Sequence, residues 1–260
     1  VIGKRQYLSP GTPGLNQVRE ADQSKLIPKE KQLMYRSGVG MLLYLVKHSR
    51  PDIANAVREL SKVLDGANMV AYKKMHRVIK YVLDTRDLGL WIEPIQGSEQ
   101  PWELICFSDS DYAGDPDSRR RVSGFVLYVR GVPISWRSKA QRSVALSSSE
   151  AEWVAASEAV KEVMFVLQLL QSMKIKVKLP IIVRVDNVGA IFMTKNITTT
   201  GRSKNVDIQY KFVTEYIEDG IIKVIFVKSA DNDSDIMTKN LGSELHSKHA
   251  GKMISMKEKL

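Results

Sequence analysis

Asp109 is the first residue of this sequence whose type and position suggest chemistry. It follows an apolar run, residues 104–107, that predicts a short buried strand. Aspartate is depleted in strands, and a buried carboxylate is costly unless a cation or hydrogen bonds neutralise its charge. Asp109 and Asp111 fit a turn before Gly114 and Pro116 as well as they fit a metal site. The choice between a turn and a metal site therefore depends on other residues.

Three further carboxylates are placed where the same sheet could gather them. Asp186 follows a second β-branched strand, residues 180–185, and pairing of neighbouring strands would bring it beside Asp109. Glu152 lies in the first turn of a long predicted helix, and Asp235 begins the last short helix. For these two helical positions, capping and interaction with the helix dipole are the alternative explanation. The joint pattern of four carboxylates favours a site.

The chemistry of such a site follows from its donor atoms. Crowded carboxylates repel one another unless a cation lies among them. Hard oxygen ligands without cysteine or paired histidine select Mg²⁺ or Mn²⁺ rather than zinc. Two such ions about 4 Å apart activate a water and stabilise the leaving oxygen in phosphodiester hydrolysis. The pattern is therefore typical of metal-dependent hydrolysis of a phosphodiester.

The first third of the chain predicts a small, mainly helical unit. Residues 1–30 are polar and rich in turn-forming residues, and helical patterns follow at about 31–47, from Pro51 onward and at 69–84. A short strand at 88–92 is expected to end the unit.

The third of these helices has a basic side formed by Lys73, Lys74, Arg77 and Lys80. This side could lie along a phosphate backbone, or it could simply face solvent, which is the commoner reason for such a pattern.

The rest of the chain predicts a mixed sheet covered by helices. The first predicted strand ends at Asp109, and four further strands are predicted at 122–130, 132–136, 180–185 and 221–227. Helices are predicted at 149–173, 187–194 and 205–217, and a short one around Asp235. The predicted domains are an extended lead-in at 1–30, a helical segment at 31–93, a linker at 94–101, an α/β domain at 102–242 and a basic tail at 243–260. We expect that tail to be frayed.

Composition limits the classes of protein to which the chain could belong. The net charge of +10 predicts an anionic partner, with nucleic acid ahead of membrane, although excess charge also aids solubility. The single Cys106 excludes a disulfide framework and a cysteine zinc site, and it suits a reducing compartment. No apolar run approaches the roughly 20 residues that cross a bilayer, and no secretory signal opens the sequence. Because the sequence begins with Val1 rather than Met, we expect a fragment or a processed piece.

Several motifs follow one another in a fixed order between about residues 5 and 242. The later ones are Phe107–Gly114, Ser135–Lys139, Ala145–Ala155, Val185–Asn187, Ser203–Ile208 and Asp235–Lys239. Together these resemble the ribonuclease H domain of copia-type retrotransposon Pol polyproteins. The earlier ones, which resemble the end of the reverse transcriptase of the same elements, are Tyr35–Gly40, Tyr44–Leu45, Arg50–Ala54 and Leu60–Ser61.

The resemblance implies an α/β fold: a ribonuclease H-like five-stranded mixed sheet flanked by helices, preceded by a small helical thumb or connection segment. It also implies that four carboxylates hold two Mg²⁺ ions, with Mn²⁺ as a substitute, and cut the RNA strand of an RNA–DNA hybrid. Carried over by motif, the four are Asp109, Glu152, Asp186 and Asp235. Glu152 is chosen over Glu150 because it precedes the apolar helical run that begins at Trp153.

The implied partners are an RNA–DNA hybrid and the remainder of the reverse transcriptase and Pol polyprotein, without a membrane. The implied location is the cytoplasm, in virus-like particles, with the nucleus as the alternative. The paired catalytic aspartates of the polymerase are absent, so we expect no DNA synthesis from this chain.

Contacts to the hybrid are predicted for polar residues around the carboxylates. Asn187 and the backbone at 147–149, which includes Ser148, are candidates for contacts to the 2′-hydroxyl groups that distinguish RNA from DNA. Phosphate contacts are predicted for Lys139, Arg119, Arg120, Arg202 and Lys204, for each of which a plain surface charge is the alternative.

Two other interpretations stay open. A degenerate remnant or scaffold would bind hybrid without cutting it, and another nuclease or an integrase of the same superfold would act on duplex DNA. The chain also departs from the family at Asn205 and Lys211, where histidines are frequent, and at Asn240, where proline is usual. The segment 231–233 lacks the histidine associated with product release.

Overall fold

The computed structural model describes residues 6–14, 16–92, 100–111, 121–141, 147–187 and 204–256, and of 204–210 only the helical backbone. The predicted helix at 187–194 and most of the predicted linker lie outside these ranges. The described residues form two compact units: one holds the residues up to Trp91 and those from Lys239 onward, and the other runs from Ile92 to Thr238. We call them the helical unit and the sheet unit.

Seven α-helices and five strands are described. The helices are α1 (Lys29–His48), α2 (Ala54–Ser61), α3 (Met69–Asp84), α4 (Ser148–Ser172), α5 (Lys204–Glu218), α6 (Asp235–Thr238) and α7 (Ser243–Met253). The strands are β1 (Leu104–Asp111), β2 (Val122–Val129), β3 (Val132–Ala140), β4 (Ile181–Val185) and β5 (Ile222–Phe226). None of the helices among the described residues has both the length and the apolar composition needed to span a membrane.

The sheet unit is built on one mixed sheet with the strand order β3-β2-β1-β4-β5. The β1–β2 and β2–β3 pairs are antiparallel, whereas β1–β4 and β4–β5 are parallel. Helix α4 packs on β1, β2 and β4, and α6 packs on β1, β2 and β3. This arrangement confirms the predicted fold class, a five-stranded mixed sheet flanked by helices.

Alternation along the central strands decides what each face of the sheet contacts. In β1, Leu104 and Cys106 point into the core formed with α4, and Phe125 and Leu127 do the same from β2. The intervening positions belong to the opposite face, where Gly124 lies against α6. Asp109 pairs with Gly124 in the β1–β2 register and therefore lies on the α6 face.

Strand β1 is longer than the sequence predicted. We expected it to end at Asp109, but pairing with β2 continues as far as Asp111 and Val122. Strand β3 likewise extends to Ala140 instead of ending at Trp136. Antiparallel pairing supplies partners for the backbone of polar residues, so hydrophobicity alone underestimates the lengths of these strands.

The helical unit has its own core, in which α1, α2 and α3 pack together. Its fully buried large side chains include Tyr35, Val39, Ile53 and Leu60. The segment from Pro51 begins as a short 3-10 turn, Pro51–Ile53, before α2. The predicted strand at 88–92 is reduced to a single bridge between Gly89 and Ser255.

The C-terminal segment differs from the expected frayed tail. Residues 243–253 form α7, whose His246, His249, Ala250 and Met253 are buried. These four positions have the spacing of one helical face, while the intervening lysines made the segment look uniformly polar. Two histidines are part of this face, so a pattern sought only among apolar residues misses it.

The basic side of α3 neither faces solvent throughout nor stays open to a phosphate backbone. The Arg77 guanidinium donates to the Ser9 carbonyl at 3.3 Å and lies 4.8 Å from the centre of the Tyr7 ring. Lys74 Nζ donates to the carbonyl of Asn16 at 3.4 Å. The N-terminal segment of the chain therefore covers much of this side, and Lys73 remains exposed.

Candidate metal centre

Three carboxylates meet at one end of the sheet. Asp109, Glu152 and Asp186 place ligand oxygens within 4.8 Å of one another. Asp109 and Glu152 are buried, with 1% and 6% of their surface exposed, and Asp186 is half-buried. Carboxylates this close repel one another strongly in a buried environment, and a shared cation removes that repulsion.

Asp109 is held on β1 by the ladder to β2 and by a hydroxyl from α6. Thr238 Oγ1 donates a hydrogen bond to Asp109 Oδ2, and both residues are buried. A hydrogen bond to an ionised carboxylate is stronger than one between neutral groups. The side chain of Asp109 is thus fixed by a contact to a residue 129 positions away.

Glu152 owes its position to the start of α4. Ser147 caps the helix, with its Oγ accepting a hydrogen bond from the Glu150 backbone N–H at 3.1 Å. The Trp153 side chain is fully buried in the sheet core, which fixes the rotation of the first turn. Gln141, at the end of β3, donates to the Ala151 carbonyl at 3.0 Å. The turn that carries Glu152 is therefore held against the sheet by the buried Trp153 side chain and by the hydrogen bond from Gln141.

Asp186 directly follows β4, as the sequence predicted. Parallel pairing of β4 with β1 matches Val185 with Ser108, which brings Asp186 level with Asp109. Ser229 Oγ donates to Asp186 Oδ2 at 2.7 Å. Ser229 lies in the segment between β5 and α6, so Asp186 is also held by a residue distant in sequence.

Asp235, the fourth predicted ligand, is not a member of this group. It begins α6, it is buried, and its backbone N–H donates to the Asn232 carbonyl at 3.1 Å. Its carboxylate is not among those that lie within 4.8 Å of one another. The structure brings three of the four predicted carboxylates together and places the fourth on the helix that contacts Asp109.

The predicted nucleic-acid contacts are described only in part. Ser148, the first residue of α4, is exposed, and Asn187 is half-buried directly after Asp186. Lys139 is exposed on β3, and the strand register places it two strands from Ser110, about 10 Å by strand spacing. Arg119, Arg120 and Arg202 lie outside the described residues, as does the side chain of Lys204.

Sequence reasoning missed the residues that support the carboxylates. Thr238 belongs to the motif Asp235–Lys239, but the sequence suggested no role for it. Gly124 interrupts a β-branched strand, which is a recognised sign of close approach by another segment. Ser229 and Asn232 carry no such signal, because their partners are determined by the folded path of the chain.

Several known proteins are similar to this chain in sequence. No protein-family model matches the chain. The retrovirus-related Pol polyprotein from transposon TNT 1-94 of Nicotiana tabacum is 34% identical over 205 residues, which are 79% of this chain and 15% of that protein. The corresponding polyprotein from transposon RE1 of Arabidopsis thaliana is 31% identical over 219 residues, or 84% of this chain and 15% of that protein. The chain thus spans about 15% of the length of these curated relatives.

Among solved structures, the ribonuclease H1 LC11, isolated from compost by a metagenomic approach, is similar to part of the chain. It has 14% sequence identity and a TM-score of 0.40, and the match covers 52% of this chain and 92% of that one.

Proposed function

This chain belongs to the copia-type retrotransposon Pol polyproteins, and on that basis we propose that its sheet unit is a ribonuclease H. The proposed reaction is Mg²⁺-dependent endonucleolytic hydrolysis of the RNA strand of an RNA–DNA hybrid during reverse transcription. The helical unit then corresponds to the C-terminal end of the reverse transcriptase. We expect no polymerase activity from this chain.

One observation carries the proposal. Asp109, Glu152 and Asp186 were selected by motif from three separate stretches of sequence, and their ligand oxygens lie within 4.8 Å of one another. Ordinary caps and turns give no reason for three such positions to converge. Convergence of motif residues on one point favours a shared chemical task.

The donor set suits a hard divalent cation. All three ligands are carboxylates, and the group contains no cysteine or histidine. When bound there, Mg²⁺ or Mn²⁺ would lower the pKa of an attacking water and stabilise negative charge on the leaving 3′ oxygen. Asp109, Glu152 and Asp186 would hold the first ion, and we propose Asp235 as the fourth ligand of a two-ion site.

The remaining residues of the site would bind and orient the hybrid. Ser148 and Asn187 flank the carboxylates on α4 and after β4, where they could donate to 2′-hydroxyl groups of the RNA strand. Lys139 is exposed close to the same end of the sheet and could contact a phosphate. Arg119, Arg202 and Lys204 are proposed as further phosphate contacts on sequence grounds alone.

The proposed partners are the hybrid and the remainder of the Pol polyprotein. The proposed location is the cytoplasm, within virus-like particles, with the nucleus as the alternative.

The test is cleavage of an RNA–DNA hybrid that carries separate labels on its two strands. We expect the RNA strand to be cut with Mg²⁺ and not with EDTA, and Asp109→Asn to abolish cutting because it removes a charged ligand. Asp219→Asn, an exposed aspartate at the end of α5, is the matched control and should cut normally. A folded chain that binds hybrid without cutting it would instead be a binding remnant, and cutting of duplex DNA would favour another nuclease.

A further inference from the structure

One short segment, residues 229–238, supplies hydroxyl groups to two of the three clustered carboxylates. Ser229, its first residue, donates to Asp186, and Thr238, its last residue, donates to Asp109. We propose that Ser229 and Thr238 are positioning residues of the metal centre, each of which fixes the carboxylate it contacts in the orientation that can share a cation. This inference rests on the proposed function, since it concerns the same site.

The segment that carries the two hydroxyls is itself anchored to the strand of Asp109. Asn232 is fully buried, and its Nδ2 donates to the backbone carbonyl of Ser108 at 3.0 Å. Its Oδ1 accepts hydrogen bonds from the Ser234 hydroxyl at 2.7 Å and the Ser234 backbone N–H at 3.3 Å. The amide thus ties the middle of the segment to the residue that precedes Asp109.

The end of the segment is held by close packing on the sheet. Gly124 lies opposite Asp109 in the β1–β2 pair, and it has no side chain to keep α6 away. Met237 and Thr238 occupy the space where a Cβ would be. Because α6 approaches this closely, the Thr238 hydroxyl can reach the Asp109 carboxylate.

The Thr238 hydroxyl lies near two acceptors, the Asp109 carboxylate and the Asp235 carbonyl, and the charge of the carboxylate makes it the stronger one. The carbonyl of Asp235 lies 3.2 Å from Thr238 Oγ1. A hydroxyl has one proton to donate, and a charged acceptor forms the stronger bond. The proton is therefore directed to Asp109, where it restrains the rotation of the carboxylate.

Hydrogen bonds to ligating carboxylates are a known means of orienting metal ligands, and their loss typically weakens metal binding or activity by roughly 10- to 100-fold. A hydroxyl that only stabilised the fold would alter unfolding without changing metal affinity in the folded protein. These two consequences can be measured separately.

The experiment is titration of the full chain with Mn²⁺ by isothermal calorimetry, in the variants Thr238→Val and Ser229→Ala. We expect each variant to bind Mn²⁺ about tenfold or more weakly. Thr238→Ser keeps a hydroxyl and should regain most of the affinity. Ser135→Ala is the matched control, because Ser135 donates to Glu162 at 2.8 Å in the same unit, and Glu162 lies ten residues along α4 from Glu152.

A second readout separates positioning from folding. In hybrid cleavage at rising Mg²⁺, Thr238→Val should require more Mg²⁺ for half-maximal rate and recover much of its maximal rate. Wild-type Mn²⁺ affinity in the folded variants would overturn the inference and leave the proposed ribonuclease intact. A wild-type chain that binds Mn²⁺ and loses affinity on Thr238→Val, but cuts no hybrid, would support the inference and refute the proposed reaction. A wild-type chain that binds no Mn²⁺ would refute both.

Discussion

Gly124 determines how closely α6 approaches the sheet. A Cβ at this position would lie 2.6 Å from the Cβ of Met237 and 2.7 Å from the Cγ2 of Thr238. Both contacted residues are buried, and the first contact is to an atom next to the backbone, so neither can turn aside cheaply. A larger residue must therefore displace α6, which carries Asp235 and the hydroxyl that contacts Asp109.

We predict that Gly124→Ala lowers the free energy of unfolding by about 1–3 kcal/mol, as overpacking of a close contact does. It should also reduce hybrid cleavage, because Thr238 moves away from Asp109. Urea denaturation and the cleavage assay measure the two effects. Gly251→Ala is the control, since that position is exposed in α7 and has open space around it. Unchanged stability and cleavage in Gly124→Ala would contradict the role given to α6.

At the residue scale, the clustered carboxylates were easier to predict than the residues that donate hydrogen bonds to them. Asp109 and Asp186 could be identified because an acidic residue at the end of a buried strand is unusual. Glu152 was identified by its motif, because an acidic residue in the first turn of a helix is common. Ser229 is an ordinary polar residue in a loop, and only the folded chain shows that it donates to Asp186. The gathering of the ligands could therefore be predicted, and the hydrogen bonds that orient them could not.

Helix α7 is joined to the rest of the helical unit by a buried polar network. The Arg50 guanidinium makes two hydrogen bonds to the Asp52 carboxylate, at 2.8 and 2.9 Å, and Tyr81 donates to the same carboxylate at 2.8 Å. The Asp52 backbone carbonyl accepts a hydrogen bond from His246 Nε2 at 3.1 Å. Because a carbonyl can only accept, the Nε2 of His246 carries a proton and donates it to this carbonyl.

Protonation of His246 should be unfavourable in the folded unit. Burial is the main cause that lowers the pKa of His246 below its ordinary value of 6.5, and Arg50 and His249 add to it against the opposing effect of Asp52. Protonation would also place an N–H on Nδ1, which is buried and has no hydrogen-bond partner. Between the lowered pKa and 6.5, the unfolded chain therefore binds a proton that the folded unit does not.

We predict that α7 becomes less stable as the pH falls below about 6.5, by up to about 1.4 kcal/mol per pH unit for this single proton. At pH values well above 6.5 the group contributes no pH dependence, because His246 is then neutral in both the folded and the unfolded chain. Amide exchange of residues 243–253, corrected for intrinsic rates between pH 5 and 7.5, measures the opening free energy. His246→Gln can still donate to Asp52 and should flatten the dependence. The same slope in both proteins would show that His246 is not its source.

At the element scale, periodicity located most helices and strands but not their limits or their neighbours. The apolar spacing predicted α3 at 69–84, as observed, and in the structure the Asn68 side chain caps the helix by accepting a hydrogen bond from the Ala71 N–H. It did not predict that Arg77 and Lys74 would contact the N-terminal segment, since a basic side has the same pattern whether solvent, phosphate or a carbonyl group faces it. The pattern also did not predict that β1 continues to Asp111, because the last residues of this strand are polar and hydrophobicity does not reveal their pairing with β2.

The net charge of the whole molecule bears on how it would bind a hybrid. A formal charge of +10 favours association with a polyanion, and such binding weakens as salt displaces the released counterions. Lys139 and Lys178 lie at opposite ends of the sheet, since Lys139 is near the carboxylates and Lys178 precedes the start of β4. The two lysines therefore allow a local contact to be separated from the effect of charge alone.

We predict that hybrid affinity falls steeply with rising salt and that Lys139→Ala reduces the slope of log K against log salt by about 1. The matched variant Lys178→Ala removes the same charge, from a side chain that is 65% exposed and paired with Glu103. It should change the slope much less. Fluorescence anisotropy at several salt concentrations measures both slopes. Equal slopes for the two variants would mean that Lys139 makes no local phosphate contact.

At the scale of the whole chain, the sequence predicted a helical part followed by an α/β part. It did not predict that the C-terminal residues pack with the helical unit. Residues from Lys239 onward join the helical unit, where Asn55 Nδ2 donates to Asn240 Oδ1 at 3.1 Å. Asn240, at a position where the family usually has proline, thus takes part in the packing of that unit. Long-range returns of this kind leave little local trace in a sequence.

The most direct test of the central claim is to locate the cation itself. Crystals of the chain with an RNA–DNA hybrid and Mn²⁺ would show the ion by its anomalous scattering. We predict a peak within coordination distance of Asp109, Glu152 and Asp186, next to a phosphate of the RNA strand. A bound hybrid with no peak at these three carboxylates, or with its RNA strand turned away from them, would contradict the account.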